Sequence, residues 1–230
     1  MNGVDVEGSP KIIKVMLVDD HVMFAQTLLR VLKDEADLDV VATASSVAEA
    51  RSRARIYQPD VVLMDYRLPD GLGTEAARMI REDRPETKVV MLTGFPEDSV
   101  LLTAIEVGCS GYMTKDGAVQ EAISAVRAAA AGEALISPAM LARLLPKLRK
   151  DAERGSYSLS GRELDVLRLM AEGLPNGAIA DRMVLSVNTV RKHVQSILNK
   201  LGAHSKLEAL ATAVRQGLVD MAGSKPPGRP

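Results

Sequence analysis

The chain has 230 residues, with 29 Lys/Arg against 30 Asp/Glu, and one cysteine, Cys109. This length suits one or two domains that each bury a core, and a single cysteine excludes an internal disulfide framework. The sequence contains no signal-peptide pattern and no apolar stretch of membrane-spanning length, which predicts a soluble cytoplasmic protein without a membrane partner. We interpret Cys109 as a small buried side chain rather than a reactive thiol.

The charge is divided unevenly along the chain. Residues 1–134 carry 14 Lys/Arg against 22 Asp/Glu, a net charge of −8, whereas residues 135–230 carry 15 against 8, a net charge of +7. An acidic half joined to a basic half favours two modules, of which the second meets a polyanion.

The first half has the pattern of an α/β domain. Residues 1–10 lack periodicity and are predicted to be a disordered arm. From 11 to 132, short aliphatic runs alternate with helix-length segments, which predicts a five-stranded parallel sheet with crossover helices. The predicted strands lie near 12–18, 39–44, 60–65, 88–93 and 110–113, and the helices near 21–36, 46–57, 72–84, 97–107 and 117–131. Ser46 and Glu49 have the spacing of a capping box.

Polar residues stand at or just beyond the ends of four predicted strands. They are Asp19, Asp20, Asp65, Thr93 and Lys115. Ligands of parallel sheets bind outside the carboxyl ends of the strands, so these groups are expected to converge. Clustered carboxylates repel one another unless a cation intervenes, and Mg²⁺ prefers oxygen ligands. We therefore predict a Mg²⁺ site in which Asp65 accepts a phosphoryl group, in preference to a structural ion pair at Asp65.

The second half is predicted to be helical. Residues 133–156 are interpreted as a linker containing a helix, residues 157–220 as a compact helical domain, and residues 221–230 as a disordered tail. Ser160 and Glu163 form a second capping box that opens the first helix of this domain. Further helices are expected near 176–184, 186–201 and 206–217.

The helix at 186–201 separates apolar from polar residues. Its apolar stripe is predicted to consist of Val187, Val190, Val194, Leu198 and Leu201, and its polar face of Asn188, Arg191, Lys192, Gln195 and Asn199. These polar side chains are ones that bind base edges and phosphates, and the helix contains no acid. We interpret it as a DNA-recognition helix, although a polar helix face is often only solvated.

Residues 11–132 resemble the receiver domain of bacterial response regulators. The resemblance rests on Asp19-Asp20, Leu63-Met-Asp65, Met91-Leu-Thr93-Gly94 and Gly111-Tyr112-Met-Thr-Lys115. It implies a flavodoxin-like fold, phosphotransfer from a sensor histidine kinase to Asp65, and Mg²⁺ held by Asp20, Asp65 and the Arg67 carbonyl, with Asp19 acting through water. It further implies that Thr93 and Tyr112 form a switch pair, in which the hydroxyl moves toward the phosphoryl group and the ring repacks inward.

Residues 157–220 resemble the LuxR-type helix-turn-helix, through Leu159-Ser160-Gly-Arg-Glu163, Ser186-Val-Asn-Thr189-Val-Arg191 and Lys200-Leu201-Gly202. Together the two resemblances point to the NarL/FixJ class. They imply a four-helix domain that binds double-stranded operator DNA as a homodimer formed on phosphorylation, with RNA polymerase as a candidate partner. Arg191, Lys192 and Gln195 would face the major groove beside Asn188, and Thr189 and His193 would approach the backbone. Leu207, Leu210 and Val214 resemble the dimer face, although ordinary core packing explains the same spacing.

Two other functions fit part of the sequence. An aspartate-nucleophile phosphatase would use similar chemistry, but it requires an Asp-x-Asp pattern where this chain has Asp65-Tyr66-Arg67. A regulator that works without phosphorylation would use the receiver as an interaction module, and the complete set of Asp65, Thr93 and Lys115 disfavours it. The sequence thus predicts a DNA-binding regulator rather than an enzyme.

Overall fold

The computed structural model describes residues 12–94, 97–117, 119–134 and 158–219. The predicted disordered arm, the predicted linker helix and the predicted disordered tail lie outside the described residues. The part of the chain that is described consists of an α/β domain followed by a helical domain.

The α/β domain alternates strands and helices. Its elements are β1 (Ile13–Val18), α1 (Val22–Lys33), β2 (Leu38–Ala44), α2 (Val47–Tyr57), β3 (Val61–Asp65), β4 (Arg67–Leu68), β5 (Gly71–Leu72), α3 (Gly73–Asp83), β6 (Lys88–Thr93), α4 (Asp98–Glu106), β7 (Gly111–Thr114) and α5 (Val119–Ala130). The five long strands and five helices agree with the predicted ranges to within a few residues. The short antiparallel pair of β4 and β5, which follows Asp65, was not predicted.

The main sheet is parallel throughout and has the strand order β2-β1-β3-β6-β7. Counting only its five strands, this is the order 2-1-3-4-5 of the flavodoxin-like fold, so the predicted fold class is confirmed. The order reverses between β1 and β3, which opens a crevice at the carboxyl ends of these strands. Asp19 and Asp65 stand at that crevice.

The central strands β1, β3 and β6 are buried on both faces along most of their length because helices cover both sides of the sheet, whereas the edge strand β2 is partly exposed. Val15, Leu17 and Leu63 pack on one side with residues of α1 and α5. Met16 and Met64 pack on the other side with residues of α2, α3 and α4. Because side chains on both faces pack under helices, the strand sequences are continuous aliphatic runs. The same packing fixes the polar ends of the strands at one edge of the sheet.

The helical domain consists of α6 (Gly161–Ala171), α7 (Asn176–Met183), α8 (Val187–Leu201) and α9 (Lys206–Arg215). The predicted capping box is present, since Glu163 N donates to Ser160 Oγ at 3.3 Å and Ser160 N donates to Glu163 Oε2 at 2.6 Å. At Ser46 only half of the predicted box forms, because Glu49 accepts from Ser45 N instead. No described helix is long and apolar enough to cross a bilayer.

The two domains share one apolar core. Helix α9 packs on α4, and the cluster on the α2, α3 and α4 side of the sheet continues into the buried side chains of the helical domain. Cys109 is fully buried in it, and burial raises the pKa of its thiol to about 12. Its carbonyl accepts a 3.0 Å hydrogen bond from Ser205 Oγ at the start of α9. Cys109 is therefore a packed side chain, as predicted, and it lies at the domain boundary.

Candidate functional site

The acidic residues at the carboxyl edge of the sheet form one cluster. One ligand atom each from Asp19, Asp20, His21 and Asp65 lies within 4.8 Å of all the others. Asp65 and Asp19 are only 3% and 5% exposed, because β3 and β1 bring them to the edge from inside the sheet. The predicted convergence of these three aspartates is confirmed.

Lys115 connects two of the carboxylates. Its Nζ lies 2.7 Å from Asp65 Oδ2 and 2.7 Å from Asp19 Oδ2, and 5.0 Å from the centre of the Phe24 ring. Burial raises the pKa of Asp65, and repulsion from Asp19 adds to this, whereas the hydrogen bond from Lys115 opposes it. The ammonium therefore balances charge that would otherwise be repulsive.

Asp65 opens into a cleft of about 260 Å³. Its lining includes His21, Tyr66, Arg67, Thr93, Gly94, Glu97, Val100 and Lys115. A Cβ added at Gly94 would meet nothing within 4 Å, so the approach to Asp65 is open on that side. Arg67 and Thr93 line the same cleft as Asp65.

Gly73 supports the site from behind. A Cβ at this position would lie 1.9 Å from the Asp65 carbonyl oxygen, and the Gly73 N–H donates to the Tyr66 carbonyl at 2.8 Å. The start of α3 can therefore approach the backbone of Asp65 only because residue 73 has no side chain.

The predicted switch residues lie on neighbouring strands. Thr93 ends β6 and is 4% exposed, and Tyr112 on β7 is also 4% exposed. The Tyr112 ring thus lies inside the protein in this structure.

His21 lies close to the aspartates of the cluster. Its Nδ1 lies 3.0 Å from Asp20 Oδ1 and 3.3 Å from Asp19 Oδ1, while its backbone N–H donates to Asp19 Oδ1 at 2.8 Å. The signal in the sequence is its place directly after the acidic pair. The imidazole occupies the open side of the cluster.

The acidic cluster fits a hard divalent cation. Asp19, Asp20 and Asp65 offer carboxylate oxygens at one edge, and the Arg67 backbone follows Asp65 in the same cleft. Within the described residues, Asp20 Oδ1 is buried and receives no hydrogen bond. It lies 3.0 Å from His21 Nδ1, a distance at which a protonated imidazole would form an ion pair. A buried carboxylate oxygen without a donor is a position that a cation would satisfy.

Helix α8 has the two faces that its sequence predicts, but the membership of the buried stripe differs. Its buried residues are Val190, Val194, Ile197 and Leu201. Ile197 was not predicted, the predicted Leu198 is half-buried, and the predicted Val187 is 38% exposed. Val187 stands in the first turn, where α8 extends beyond the core, so its assignment to the buried stripe was wrong. On the polar side, Asn188, Arg191, Lys192 and Gln195 are exposed, and Thr189 and His193 are half-buried.

Glu163 fixes the orientation of α8. Besides capping α6, its carboxylate accepts from Ser196 Oγ at 2.6 Å and from Lys200 Nζ at 2.7 Å. The hydrogen bond from Lys200, followed by that from Ser196, lowers the pKa of Glu163 to about 2. The sequence indicated only the capping role, because the partners lie more than thirty residues away.

The polar face of α8 lies partly against the α/β domain. Arg191 and Gln195 line a cleft of about 220 Å³ together with Lys88, Ser110 and Gly132 of the first domain. Arg191 and Gln195 are exposed to solvent, but the α/β domain faces them across this narrow cleft and leaves little room for a large ligand.

A buried ion pair ties the domains together beside this cleft. Lys206 Nζ lies 2.5 Å from Glu133 Oε2 and 2.7 Å from Asn176 Oδ1, and Asn176 N donates to Glu133 Oε1 at 2.9 Å. The side chain of Lys206 is 3% exposed, and this burial lowers its pKa while Glu133 opposes the shift. The Glu133 carboxylate thus accepts hydrogen bonds from the first residues of both α7 and α9.

The predicted dimer face is covered within the chain. Leu207, Leu210 and Val214 are 0%, 3% and 1% exposed, and they belong to the core cluster that α9 shares with α4. The assignment of these residues to a dimer stays a prediction, and it requires that α9 leave its present contacts.

Comparison with known proteins agrees with both halves of the fold. Residues 15–127 match the family model described as response regulator receiver domain, and residues 157–213 match the model described as bacterial regulatory proteins, luxR family. The chain therefore belongs to the response regulators that join a receiver domain to a LuxR-type helix-turn-helix, and it is a DNA-binding regulator of a two-component system.

Individual relatives match nearly the whole chain. The DNA-binding transcriptional activator DevR/DosR of Mycobacterium tuberculosis is 39% identical over 218 residues, covering 94% of this chain and 98% of its own. The response regulator protein VraR of Staphylococcus aureus is 34% identical over 207 residues, covering 90% and 99%.

Solved structures show the same fold. A LuxR-family two-component response regulator from Aurantimonas sp. SI85-9A1 has 32% identity and a TM-score of 0.56, covering 60% of this chain and 98% of that chain. The RcsB response regulator of Salmonella typhimurium has 24% identity and a TM-score of 0.53, covering 87% and 97%, and supports the fold alone.

Proposed function

We propose that a sensor histidine kinase transfers a phosphoryl group to Asp65 and that this transfer controls DNA binding by α8. The observation that carries the proposal is the position of Asp65, which lies 2.7 Å from Lys115 Nζ at the open crevice of the sheet. In the transfer, the bond from phosphorus to the donor nitrogen breaks as a bond from phosphorus to an Asp65 carboxylate oxygen forms, giving an acyl phosphate.

The residues around Asp65 have separate roles in this step. Lys115 pairs with a phosphoryl oxygen after leaving part of its present contact with Asp19 and Asp65, and the Thr93 hydroxyl donates to another phosphoryl oxygen. Asp19, Asp20, Asp65 and the Arg67 carbonyl would hold Mg²⁺, which when bound neutralises charge on the carboxylates and the phosphoryl group. Gly94 leaves the approach to Asp65 clear for the donor.

The test of the acceptor uses acetyl phosphate and Mg²⁺ with the full-length chain. Intact-mass spectrometry should detect one added phosphoryl group, and Asp65→Asn should abolish it. Asp60→Asn is a matched control, because Asp60 lies at the opposite end of β3. Labelling of Asp65→Asn as strong as in the wild type would refute the assignment.

Helix α8 is the proposed DNA-reading element. Its exposed Asn188, Arg191, Lys192 and Gln195 are suited to the major groove, with Thr189 and His193 nearer the backbone. The name of the relative DevR/DosR, a DNA-binding transcriptional activator, supports this role. Replacing Arg191 and Lys192 by Ala should weaken operator binding and reduce its dependence on salt, without altering phosphorylation. An unchanged salt dependence would exclude both side chains from the interface.

The closed arrangement of the domains is proposed to be the inactive one. Arg191 and Gln195 line the cleft against the receiver, and α9 packs on α4. Phosphorylation of Asp65 would favour an open arrangement, which frees α8 for operator DNA and Leu207, Leu210 and Val214 for a second copy of the chain. Light scattering should then give the mass of a dimer after full phosphorylation, and a monomer under those conditions would contradict this step. RNA polymerase remains a proposed partner at promoters.

A further inference from the structure

The turn before α8 holds a residue in an unfavourable conformation. Val184 ends α7 with φ of 55° and ψ of 50°, in the left-handed region. The turn is closed by the Leu185 N–H, which donates to the Ala180 carbonyl at 2.9 Å. A β-branched residue is a rare outlier in this region, because its Cβ approaches the following carbonyl.

Elsewhere the chain uses glycine for the same task. Within the described residues, left-handed glycines follow α4, α5, α6, α8 and α9, namely Gly108, Gly132, Gly173, Gly202 and Gly217. In the same part of the chain, the non-glycine residues with positive φ are Val184 after α7 and Gln58 after α2. Glycine would end α7 without the steric cost that valine brings, so stability does not account for Val184.

Burial does not account for Val184 either. Its side chain is 90% exposed, whereas Leu185 beside it packs against the core. Val187, three residues later in the first turn of α8, is 38% exposed. Val184 and Val187 are therefore two exposed apolar side chains at the start of the proposed DNA-reading helix, and we call this pair the apolar tip. Strain that neither packing nor stability repays is a sign of function.

The surroundings of the apolar tip indicate what it contacts. It leads directly into α8, whose exposed residues include Arg191 and Lys192 and which contains no acid, so the adjoining surface is complementary to a polyanion. In helix-turn-helix proteins, the first turn of the recognition helix is the part that reaches base edges. The apolar group that the major groove presents there is the 5-methyl group of thymine.

We propose that Val184, together with Val187, contacts a thymine 5-methyl group of the operator and so contributes to the choice of sequence. This inference rests on the proposed DNA-reading role of α8. The left-handed turn projects the Val184 side chain away from the core, and a valine in place of glycine supplies the methyl groups. The receiver-facing cleft is lined by Arg191 and Gln195 and not by Val184 or Val187, so the tip is open in the closed arrangement as well.

The test compares Val184→Ala and Val184→Gly in the full-length phosphorylated chain, on an operator obtained by binding-site selection with the wild-type protein. Both variants should bind this operator about tenfold more weakly, because one apolar contact is lost. The slope of affinity against salt should not change, since no charge is removed. Gln58→Gly is the matched control: it relieves a left-handed residue in the receiver and should leave DNA affinity unchanged.

Replacement of single thymines by uracil identifies the partner group. At one thymine, loss of the 5-methyl group should weaken wild-type binding several-fold and leave Val184→Ala binding unaffected. The unfolding midpoint of Val184→Gly should equal or exceed that of the wild type, which separates a lost contact from a damaged domain. The proposal would be overturned if both Val184 variants bound the operator as tightly as the wild type. It would also be overturned if replacement of thymine by uracil weakened binding of the wild type and of Val184→Ala equally at every position. Failure of the Arg191 and Lys192 test would instead remove α8 itself from the interface.

Discussion

The ion pair between Glu133 and Lys206 offers a direct way to open the domains without phosphorylation. Glu133→Gln keeps the size of the side chain but removes the charge that faces the Lys206 ammonium across 2.5 Å. Lys206 is 3% exposed, so its charge would remain inside the interface with only neutral oxygens, those of Asn176 and of the new amide, as polar partners.

The size of the effect follows from burial. Removing one partner of a buried ion pair costs about 3–5 kcal/mol when the other charge must stay buried. Glu133 is 17% exposed, so water screens part of the interaction, and Lys206 regains water as soon as the domains separate. We therefore expect the closed arrangement to lose about 1–3 kcal/mol, a shift of roughly 5- to 150-fold toward the open one.

Fluorescence anisotropy with the unphosphorylated protein and operator DNA measures this shift as a gain in affinity, and small-angle scattering measures it as an increased radius of gyration. Glu121→Gln is the control, because it makes the same change of charge at an exposed position on α5. Affinity and scattering of Glu133→Gln that match those of Glu121→Gln would show that the ion pair does not hold the domains closed.

Three further outcomes follow from other contacts. Folding lowers the pKa of Glu163 from an ordinary value of 4.5 to about 2, so its contribution to stability is complete above about pH 4.5 and is lost as the pH falls toward 2. The difference in denaturant midpoint between the wild type and Glu163→Gln should therefore shrink over that pH range. A difference that stays constant would contradict this expectation. Gly73→Ala should displace the Asp65 backbone, and so lower both the rate of labelling by acetyl phosphate and the unfolding midpoint. Gly94→Ala places its methyl group in open space and should keep the wild-type midpoint. Equal unfolding midpoints for the two variants would contradict the steric argument. Cys109 should react with a thiol reagent only as fast as the domain boundary opens, so rapid stoichiometric labelling of the native protein would contradict its burial.

Much of the receiver site could be predicted because its geometry follows from topology. Asp19, Asp65, Thr93 and Lys115 come at or just after the ends of parallel strands, and such ends share one edge of the sheet. The helices could also be predicted, since their apolar residues recur at helical spacing and several helices begin with a capping side chain. The pair of β4 and β5 was missed because strands of two residues have no periodicity to detect.

Contacts between distant residues could not be predicted. Glu133 and Lys206 are 73 residues apart, and no pattern in the sequence connects them. Val187 was misassigned because helical spacing identifies an apolar stripe but not the point at which a helix leaves the core. The same limit applies to Leu207, Leu210 and Val214, whose spacing fits a core and a dimer face equally well.

The core that α4 and α9 share has a consequence for the lifetime of the protein. Since apolar side chains of the two domains pack in one cluster, each domain contributes to the folded stability of the other. Opening the domains removes that mutual support and exposes apolar surface until DNA or a second copy covers it. A signalling protein built in this way would be most vulnerable to proteases just after activation, and binding its target would protect it. The duration of a response would then depend on how quickly operator sites are found.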